Sequence, residues 1–206
     1  MTGKIHYKLR FLEAEMIEAL RARDYKAARR ICRAGKIQNF NIPEEAYGRI
    51  VGEFYDDNNM AALYLLASIC TDWMQTGAYM LLQVFVREMR FFGMVVRLIK
   101  NGNITSEYFE RIFHDAAEYG NIKLLQFLYK KGLDVNNTSQ GGGMTPLMAA
   151  VEHSRNECVG FLLENGADIH KQDAEGRTVM DYDMTIQIRD ALYQYRLRQR
   201  IQIGER

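Results

Sequence analysis

Residues of the types that bind metal ions are scattered along this sequence of 206 residues. Its histidines lie far apart, at His6, His114, His153 and His170, and there is no HExxH motif and no CxxC pair. A zinc site needs three or four ligands close together, which such motifs usually supply. We therefore predict no metal site, and we interpret His153 and His170 as polar surface residues.

Motifs for covalent or phosphate chemistry are also missing. There is no GxSxG nucleophile elbow, although the members of a catalytic triad meet only in space and escape a motif search. The glycine run 141–143 lacks the following Lys-Ser/Thr of a phosphate-binding loop. Asp181 and Asp183 fit a capping turn better than a carboxylate pair. The sequence therefore predicts a protein that is not an enzyme and uses no cofactor.

The cysteines favour a structural interpretation. There are three, Cys32, Cys70 and Cys158, and this odd number at wide spacing argues against a disulfide framework. Each falls in a predicted helix. We interpret them as small buried hydrophobic residues.

Charge is distributed unevenly. Residues 1–40 have a net charge of +6, residues 41–188 of −8 and residues 189–206 of +3, which sum to the +1 of the chain. The N-terminal excess contains a basic patch on a predicted helix, formed by Lys26, Arg29, Arg30 and Arg33. Three interpretations remain open for this basic patch: a solvated helix face, a phosphate-binding surface, or a surface for an acidic protein.

Most of the chain has the pattern of paired helices. Apolar residues recur at helical spacing, and glycines suited to ending a helix follow at intervals: Gly35, Gly102, Gly132 and Gly166. From Gly35 to Gly102 is 67 residues, or two periods of about 33. The pattern predicts helix, turn, helix and glycine stop, repeated along the chain.

Segment 143–170 contains this pattern in its most complete form. Its Thr145-Pro146 pair suits the start of a helix, and Ala149-Ala150 lies 33 residues after Ala116-Ala117. A period near 33 with a Thr-Pro-Leu opening is typical of ankyrin arrays. Because of the segments GMTPLMAA and VGFLLENGADIHKQDAEGRT, residues 105–184 resemble the ankyrin repeat family.

The resemblance implies an all-α fold: an ankyrin-type solenoid of about five stacked helix-pair repeats and a C-terminal cap, with short β-hairpin-like fingers. We expect one solenoid over residues 1–206, with degenerate repeats in 1–104 and well-formed repeats in 105–176. A cap over 177–198 and a basic tail over 199–206 complete the expected order. The predicted apolar face of the cap consists of Ile188, Ala191, Leu192 and Tyr195.

In the ankyrin family, finger tips and first helices bind other proteins. The matching candidates in this chain are Gln140, Met144, Met148, Glu152, Asp173, Glu175, Arg177 and Tyr119. Met148 stands where the family usually has histidine. Met144 and Met148 are either adaptable exposed contacts or, if they face inward, ordinary packing. The glycine-rich finger before Met144 is either a flexible loop or an adaptable binding tip.

The resemblance implies a non-enzymatic module that binds a partner protein, as an effector, an inhibitor or an adaptor. The alternative is a nucleic-acid-associated protein that uses the basic patch. We find no apolar signal core in MTGKIHYKLR and no apolar run long enough for a bilayer. We therefore expect a cytoplasmic monomer without a membrane partner, or a protein delivered into a host cell if it is an effector.

Overall fold

The computed structural model describes residues 2–35, 44–69, 76–138 and 143–203. Within these ranges the regular secondary structure is entirely helical, and no β-strand is present. The all-α prediction is therefore confirmed. Of the expected finger tip at residues 139–144, residues 139–142 lie outside the described residues. The next expected finger tip, at residues 172–177, is a tight turn rather than a pair of strands.

The described ranges contain eleven α-helices and three short 3₁₀ helices. The α-helices are α1 (Thr2–Arg21), α2 (Tyr25–Gly35), α3 (Glu44–Asp56), α4 (Met60–Ile69), α5 (Thr76–Arg87), α6 (Phe92–Lys100), α7 (Phe109–Tyr119), α8 (Ile122–Tyr129), α9 (Pro146–Glu152), α10 (Asn156–Glu164) and α11 (Ile186–Ile203). The 3₁₀ helices are Met89–Phe91, Ser106–Tyr108 and Val179–Asp181.

The chain divides into two compact units. The first contains Met1–Phe85 and Gly93–Thr105, and the second contains Val86–Phe92 and Ser106–Arg206. In the first unit α1 packs on α2, α3 packs on α4, and α2 also contacts α4. Its core includes the fully buried side chains of Met16, Leu20, Phe54, Leu63 and Leu66.

The second unit has two layers of helices. The first helices of its pairs, α7 and α9, lie side by side, and the second helices, α8 and α10, contact each other behind them. Helix α11 packs on α10 and closes this unit. Ile188 and Leu192 of α11 are buried, as predicted for the cap. The helix continues past Arg198 to Ile203, into residues that the sequence pattern assigned to a tail.

The turn inside four of the helix pairs uses a residue with left-handed backbone geometry, whereas the connection between α5 and α6 contains the 3₁₀ helix Met89–Phe91. The left-handed residues are Arg23 (φ 58°), Asn58 (φ 51°), Gly120 (φ 80°) and Ser154 (φ 57°). The predicted turn at Gly120-Asn121 is confirmed. The predicted stops Gly102, Gly132 and Gly166 also have positive φ, of 75°, 92° and 88°.

Two asparagines join consecutive helix pairs in the same way. The Asn59 and Asn121 side-chain oxygens accept hydrogen bonds from the backbone at the start of α4 and α8, where they cap the helix. Their amide groups donate to backbone carbonyls of the preceding pair: Asn59 to Leu20 at 3.2 Å, and Asn121 to Val86 at 2.8 Å. Both asparagines are buried, and these bonds satisfy their polar atoms.

Candidate protein-binding site

The finger at residues 172–177 is folded around one buried carboxylate. One oxygen of Asp173, Oδ1, accepts hydrogen bonds from the backbone N–H groups of Glu175 and Arg177, each at 2.9 Å. The backbone closes the same turn, because the Asp173 N–H donates to the Arg177 carbonyl at 2.9 Å. The Asp173 side chain is only 2% exposed. Its role is to hold the shape of the finger, and it is not available to a partner.

The second oxygen of Asp173 ties the finger to the cap. Oδ2 accepts from the Tyr182 hydroxyl at 2.7 Å and from Arg177 Nε at 2.9 Å. The Tyr182 hydrogen bond, together with the bonds from Arg177 and Glu175, lowers the pKa of Asp173 far below its ordinary range, although burial opposes the shift. Burial and the bond to Asp173 raise the pKa of Tyr182 to about 12. The carboxylate therefore stays charged at neutral pH.

Glu175 and Arg177 present the charges of this finger to solvent. The Arg177 side chain is 44% exposed, lies over the Tyr182 ring at 4.8 Å, and has its Nη1 3.2 Å from Glu175 Oε2. Its position is therefore fixed from three sides, by Asp173, Tyr182 and Glu175.

Met148 is a packing residue. Thr145 caps α9 by accepting the Met148 N–H at 3.2 Å, and its own N–H donates to Met148 Sδ at 3.4 Å. Met148 is 1% exposed. Of the two interpretations of this methionine, inward packing is the one the structure supports, because the first turn of α9 folds its side chain back onto the helix start. Met144 is partly exposed.

Gly143 brings the backbones of two consecutive fingers together. Its φ is 63°, and a Cβ at this position would lie 3.0 Å from the Ala174 backbone N and 3.2 Å from the Asp173 carbonyl carbon. Both the left-handed conformation and the close approach favour glycine. The finger at 172–177 is therefore supported from behind by backbone.

Asn136 links the loops that follow α8 and α10. Its amide donates to the Gly166 carbonyl at 3.0 Å, and its side-chain oxygen accepts from the Asp168 N–H at 2.7 Å. Lys171 Nζ donates to the Asn136 carbonyl at 2.6 Å. Asn136 and Tyr182 were not among the contact residues predicted from the sequence, because their hydrogen-bond partners lie in other segments.

The opposite end of the first helices is held by an arginine. Arg155 Nε donates to the Glu118 carbonyl at 2.8 Å, and a Cβ on Gly120 would lie 2.9 Å from Arg155 Cδ. Glu152 is exposed and Tyr119 is half-buried. Burial, followed by the carboxylates of Glu118 and a neighbouring aspartate, raises the pKa of Tyr119.

The predicted contact residues therefore fall into three groups. Glu152, Glu175 and Arg177 are exposed, and Tyr119 and Met144 are partly exposed. Met148 and Asp173 are buried and support the surface from within. Gln140 lies outside the described residues.

One cluster of potential metal ligands is present among the described residues. Atoms of His114, Asp115 and Glu118 lie within 4.8 Å of one another on α7. His114 Nε2 is buried without a hydrogen-bond partner in the part of the chain that the structure describes. Burial and the nearby His153 lower the pKa of His114 to about 4. Three ligands from one helix are one short of the four that structural zinc sites use.

Cys32 and Cys158 are buried, in agreement with their interpretation as small hydrophobic residues. Burial raises the pKa of Cys158 to about 12, so this thiol is not a nucleophile at neutral pH. Cys70 lies outside the described residues.

The basic patch occupies the outward side of α2. Its four side chains, Lys26, Arg29, Arg30 and Arg33, are all exposed. Within the described ranges none of them has an ion-pair partner. The buried residues of α2, Ala28 and Cys32, lie on the other side of the helix.

The comparisons with known proteins agree with this geometry. A family model described as ankyrin repeats, in three copies, matches residues 84–180. Among solved structures, the ankyrin repeat protein EF0377 superposes with a TM-score of 0.63 at 24% identity, over 87% of this chain and 96% of that one. Residues 84–180 therefore belong to the ankyrin repeat family.

Curated relatives match the ankyrin segment locally. Rabankyrin-5 of Mus musculus is 38% identical over 80 residues, which cover 34% of this chain and 7% of that protein. The potassium channel AKT1 of Arabidopsis thaliana is 44% identical over 66 residues, or 32% of this chain and 8% of the channel. This chain therefore spans less than a tenth of the curated relatives named here, and the likeness concerns their ankyrin parts.

Ankyrin repeats are generally protein–protein interaction modules and generally not enzymes. No described helix of this chain combines the length and the apolar character needed to cross a bilayer.

Proposed function

We propose that this chain is a non-enzymatic module that binds a partner protein through the first helices and the finger of its second unit. The observation that carries the proposal is the finger at 172–177. Its exposed charges, Glu175 and Arg177, are mounted on a turn that Asp173 fixes from within. Glu152, at the end of α9, adds a further exposed charge.

Preorganisation supports this choice of surface. A loop that is already ordered loses little conformational freedom when it binds, so more of the contact energy remains as affinity. The Asp173 hydrogen bonds and the close backbone contact at Gly143 provide that order here. The exposed charges then contribute to the choice of partner and to the association rate as well as to affinity.

Site-specific photo-crosslinking tests the proposal. A benzoylphenylalanine residue is placed at Glu152 or at Glu175, and the full chain is irradiated in extract from the source organism. Matched controls carry the same group at Lys123 on α8 or Glu157 on α10, both exposed on second helices. We expect the same discrete protein adduct from both test positions and not from the controls, as read by mass spectrometry.

Purified partner then gives the decisive measurement. Glu152→Lys with Glu175→Lys reverses two exposed charges of this surface and leaves the hydrogen bond between Arg177 and the buried Asp173 in place, and it should weaken binding about tenfold or more by calorimetry. Capture from all four positions alike, or full affinity of the reversed variant, contradicts the proposed surface. The identity of the captured protein decides between an effector, an inhibitor and an adaptor.

Nucleic-acid binding through the basic patch is the second candidate. It is favoured by the placement of Lys26, Arg29, Arg30 and Arg33 on one exposed face of α2. Three or four phosphate contacts would give a slope of log affinity against log salt of about −3 to −4. Fluorescence anisotropy with labelled single- and double-stranded oligonucleotides measures that slope. Absence of binding at low salt, or equal binding by Lys26→Gln/Arg30→Gln/Arg33→Gln, rejects this candidate.

A further inference from the structure

Helix α11 has apolar side chains on two opposite faces. The inner face places Ile188 and Leu192 in the core of the second unit. On the other face Ile186 is 73% exposed, Tyr193 58% and Ile201 78%. At 100° per residue these three side chains fall within an arc of about 80°, opposite the buried face.

This outer stripe concentrates exposed apolar side chains on one helix. Scattered exposed apolar residues are ordinary, but the stripe holds three of the six exposed large hydrophobic side chains in the described part of the chain. Leu197, half-buried, falls in the same arc. The stripe runs along about 22 Å of helix, or four turns. Large apolar side chains exposed together along one helix face favour a covering partner.

The charges beside the stripe indicate what kind of partner fits. Arg189, Arg196 and Arg198 flank it and are exposed, and none has an ion-pair partner among the described residues. Asp190, the one acidic residue of α11, is also exposed and lies in the same arc as the stripe, between Ile186 and Tyr193, so the exposed side chains of the helix keep an excess of positive charge. Pairing of two copies through α11 would place these arginine rims against each other, which like-charge repulsion opposes. An acidic rim on the occupant complements them.

We propose that the outer face of α11 is a second docking surface, and that it binds an acidic amphipathic helix of another protein. The apolar side of that helix packs along Ile186, Tyr193 and Ile201, and its acidic flanks pair with the arginines. Packing of one helix along another by interlocking apolar side chains is a common recognition mode. The surface is separate from the finger at 172–177, and its test does not depend on the finger's partner.

Two synthetic peptides of four to five helical turns test the proposal. Both carry leucines on one helical face, and they differ only in their flanking positions, which are glutamate in one and lysine in the other. Binding of each labelled peptide to the full chain is measured by fluorescence anisotropy at low and moderate salt. We expect the glutamate peptide to bind at least about tenfold more tightly, with the difference shrinking as salt rises.

Variants at exposed positions locate the binding. Ile186→Gln/Tyr193→Gln/Ile201→Gln should lose at least about tenfold in affinity for the glutamate peptide, whereas Met180→Gln, an exposed apolar residue outside α11, should bind normally. Arg189→Gln/Arg196→Gln/Arg198→Gln keeps the apolar stripe and should abolish the preference between the peptides. Far-UV circular dichroism confirms that each variant is folded.

Four outcomes overturn the proposal. They are no binding of either peptide, equal binding of both by the unmodified chain, unchanged binding by the triple glutamine variant, and binding to anionic phospholipid vesicles without binding of the glutamate peptide. Light scattering adds a fifth: a dimer that the triple variant dissociates makes a second copy the occupant, against the charge argument.

Discussion

Helices α7 and α9 lie side by side and correspond at a spacing of 33 residues, yet their buried positions differ in chemistry. Ala116-Ala117 matches Ala149-Ala150, and all four are buried. Two positions before the alanine pair, α9 has the buried Leu147, whereas α7 has His114, whose Nε2 has no hydrogen-bond partner among the described residues. The same position in the fold is therefore occupied by an apolar side chain in one repeat and by a polar one in the other, and we expect the two to contribute differently to the free energy of unfolding.

The helix starts and inner turns differ in the same way. Helix α9 begins at Thr145, whose side chain caps it, whereas α7 follows the 3₁₀ turn Ser106–Tyr108 without a side-chain cap. The inner turn after α7 uses Gly120, and the turn after α9 uses Ser154 in the same left-handed region. A repeat that matches the family's motif therefore still contains individual positions whose residue is not the most stabilising one for the local backbone.

The largest effect is expected from placing the α7 residue in α9. Leu147→His should lower the free energy of unfolding by about 3–5 kcal/mol, since it removes apolar burial and adds a buried polar group. Urea unfolding at neutral pH measures it. Leu147→Met is the volume-matched control, with an expected loss below about 1.5 kcal/mol. Equal losses for both would contradict the comparison.

The next effect is a pH dependence caused by His114. Its pKa is about 4 in the folded chain and 6.5 in the reference state, so the unfolded chain binds more protons between these values. Stability is unaffected above pH 6.5 and falls as the pH drops from 6.5 to 4, by up to roughly 3 kcal/mol.

His114→Leu, which copies α9, should remove this decline. Urea midpoints at several pH values test it. Asp173 has a lowered pKa, so its contribution is present above its ordinary pKa of 3.8 and is lost only below that value. The pH range in which His114 affects stability therefore does not overlap with the range in which Asp173 does. A decline between pH 6.5 and 4 that persists in His114→Leu would show that another group causes it.

A smaller loss is expected at the turn after α7. Gly120→Ala should lower the free energy of unfolding by about 1–2 kcal/mol, because alanine is disfavoured at φ 80°. Its Cβ would also approach Arg155 Cδ to 2.9 Å. Gly160→Ala, in the interior of α10 with open space around its Cβ, is the control and should be neutral or stabilising. Thermal unfolding distinguishes the two.

The smallest effect has the opposite sign. Ser154→Gly places in the turn after α9 the residue type that the turn after α7 has at Gly120. It should stabilise the chain by about 0.5 kcal/mol, because glycine adopts φ 57° without strain. His153→Ala, one residue earlier and exposed, tests whether any change at this turn acts likewise. If Ser154→Gly is less stable than the unmodified chain, the serine side chain stabilises this turn by more than its left-handed backbone conformation costs.

Local sequence signals predicted the helix pairs well. Spacing of apolar residues, the Thr145-Pro146 start, the Gly120-Asn121 turn and the stops at Gly132 and Gly166 are all properties of short segments. The candidate surface was predicted less well, because motif position does not reveal burial. Met148 and Asp173 were grouped with Glu175 and Arg177, and only the first two are buried.

The sequence by itself determined the helical class, the period of about 33 residues and the ankyrin character of the second half, because each depends on residues within one or two turns of one another. Only the tertiary structure decided which side chains are free to bind. Asp173 is not available to a partner because it is buried and hydrogen-bonded to Tyr182, and Asn121 is not available because it is buried and donates to the Val86 carbonyl, 35 residues earlier. One face of α11 packs against α10, and its other face is exposed. Burial is set by neighbours distant along the chain, and spacing along the sequence does not encode it.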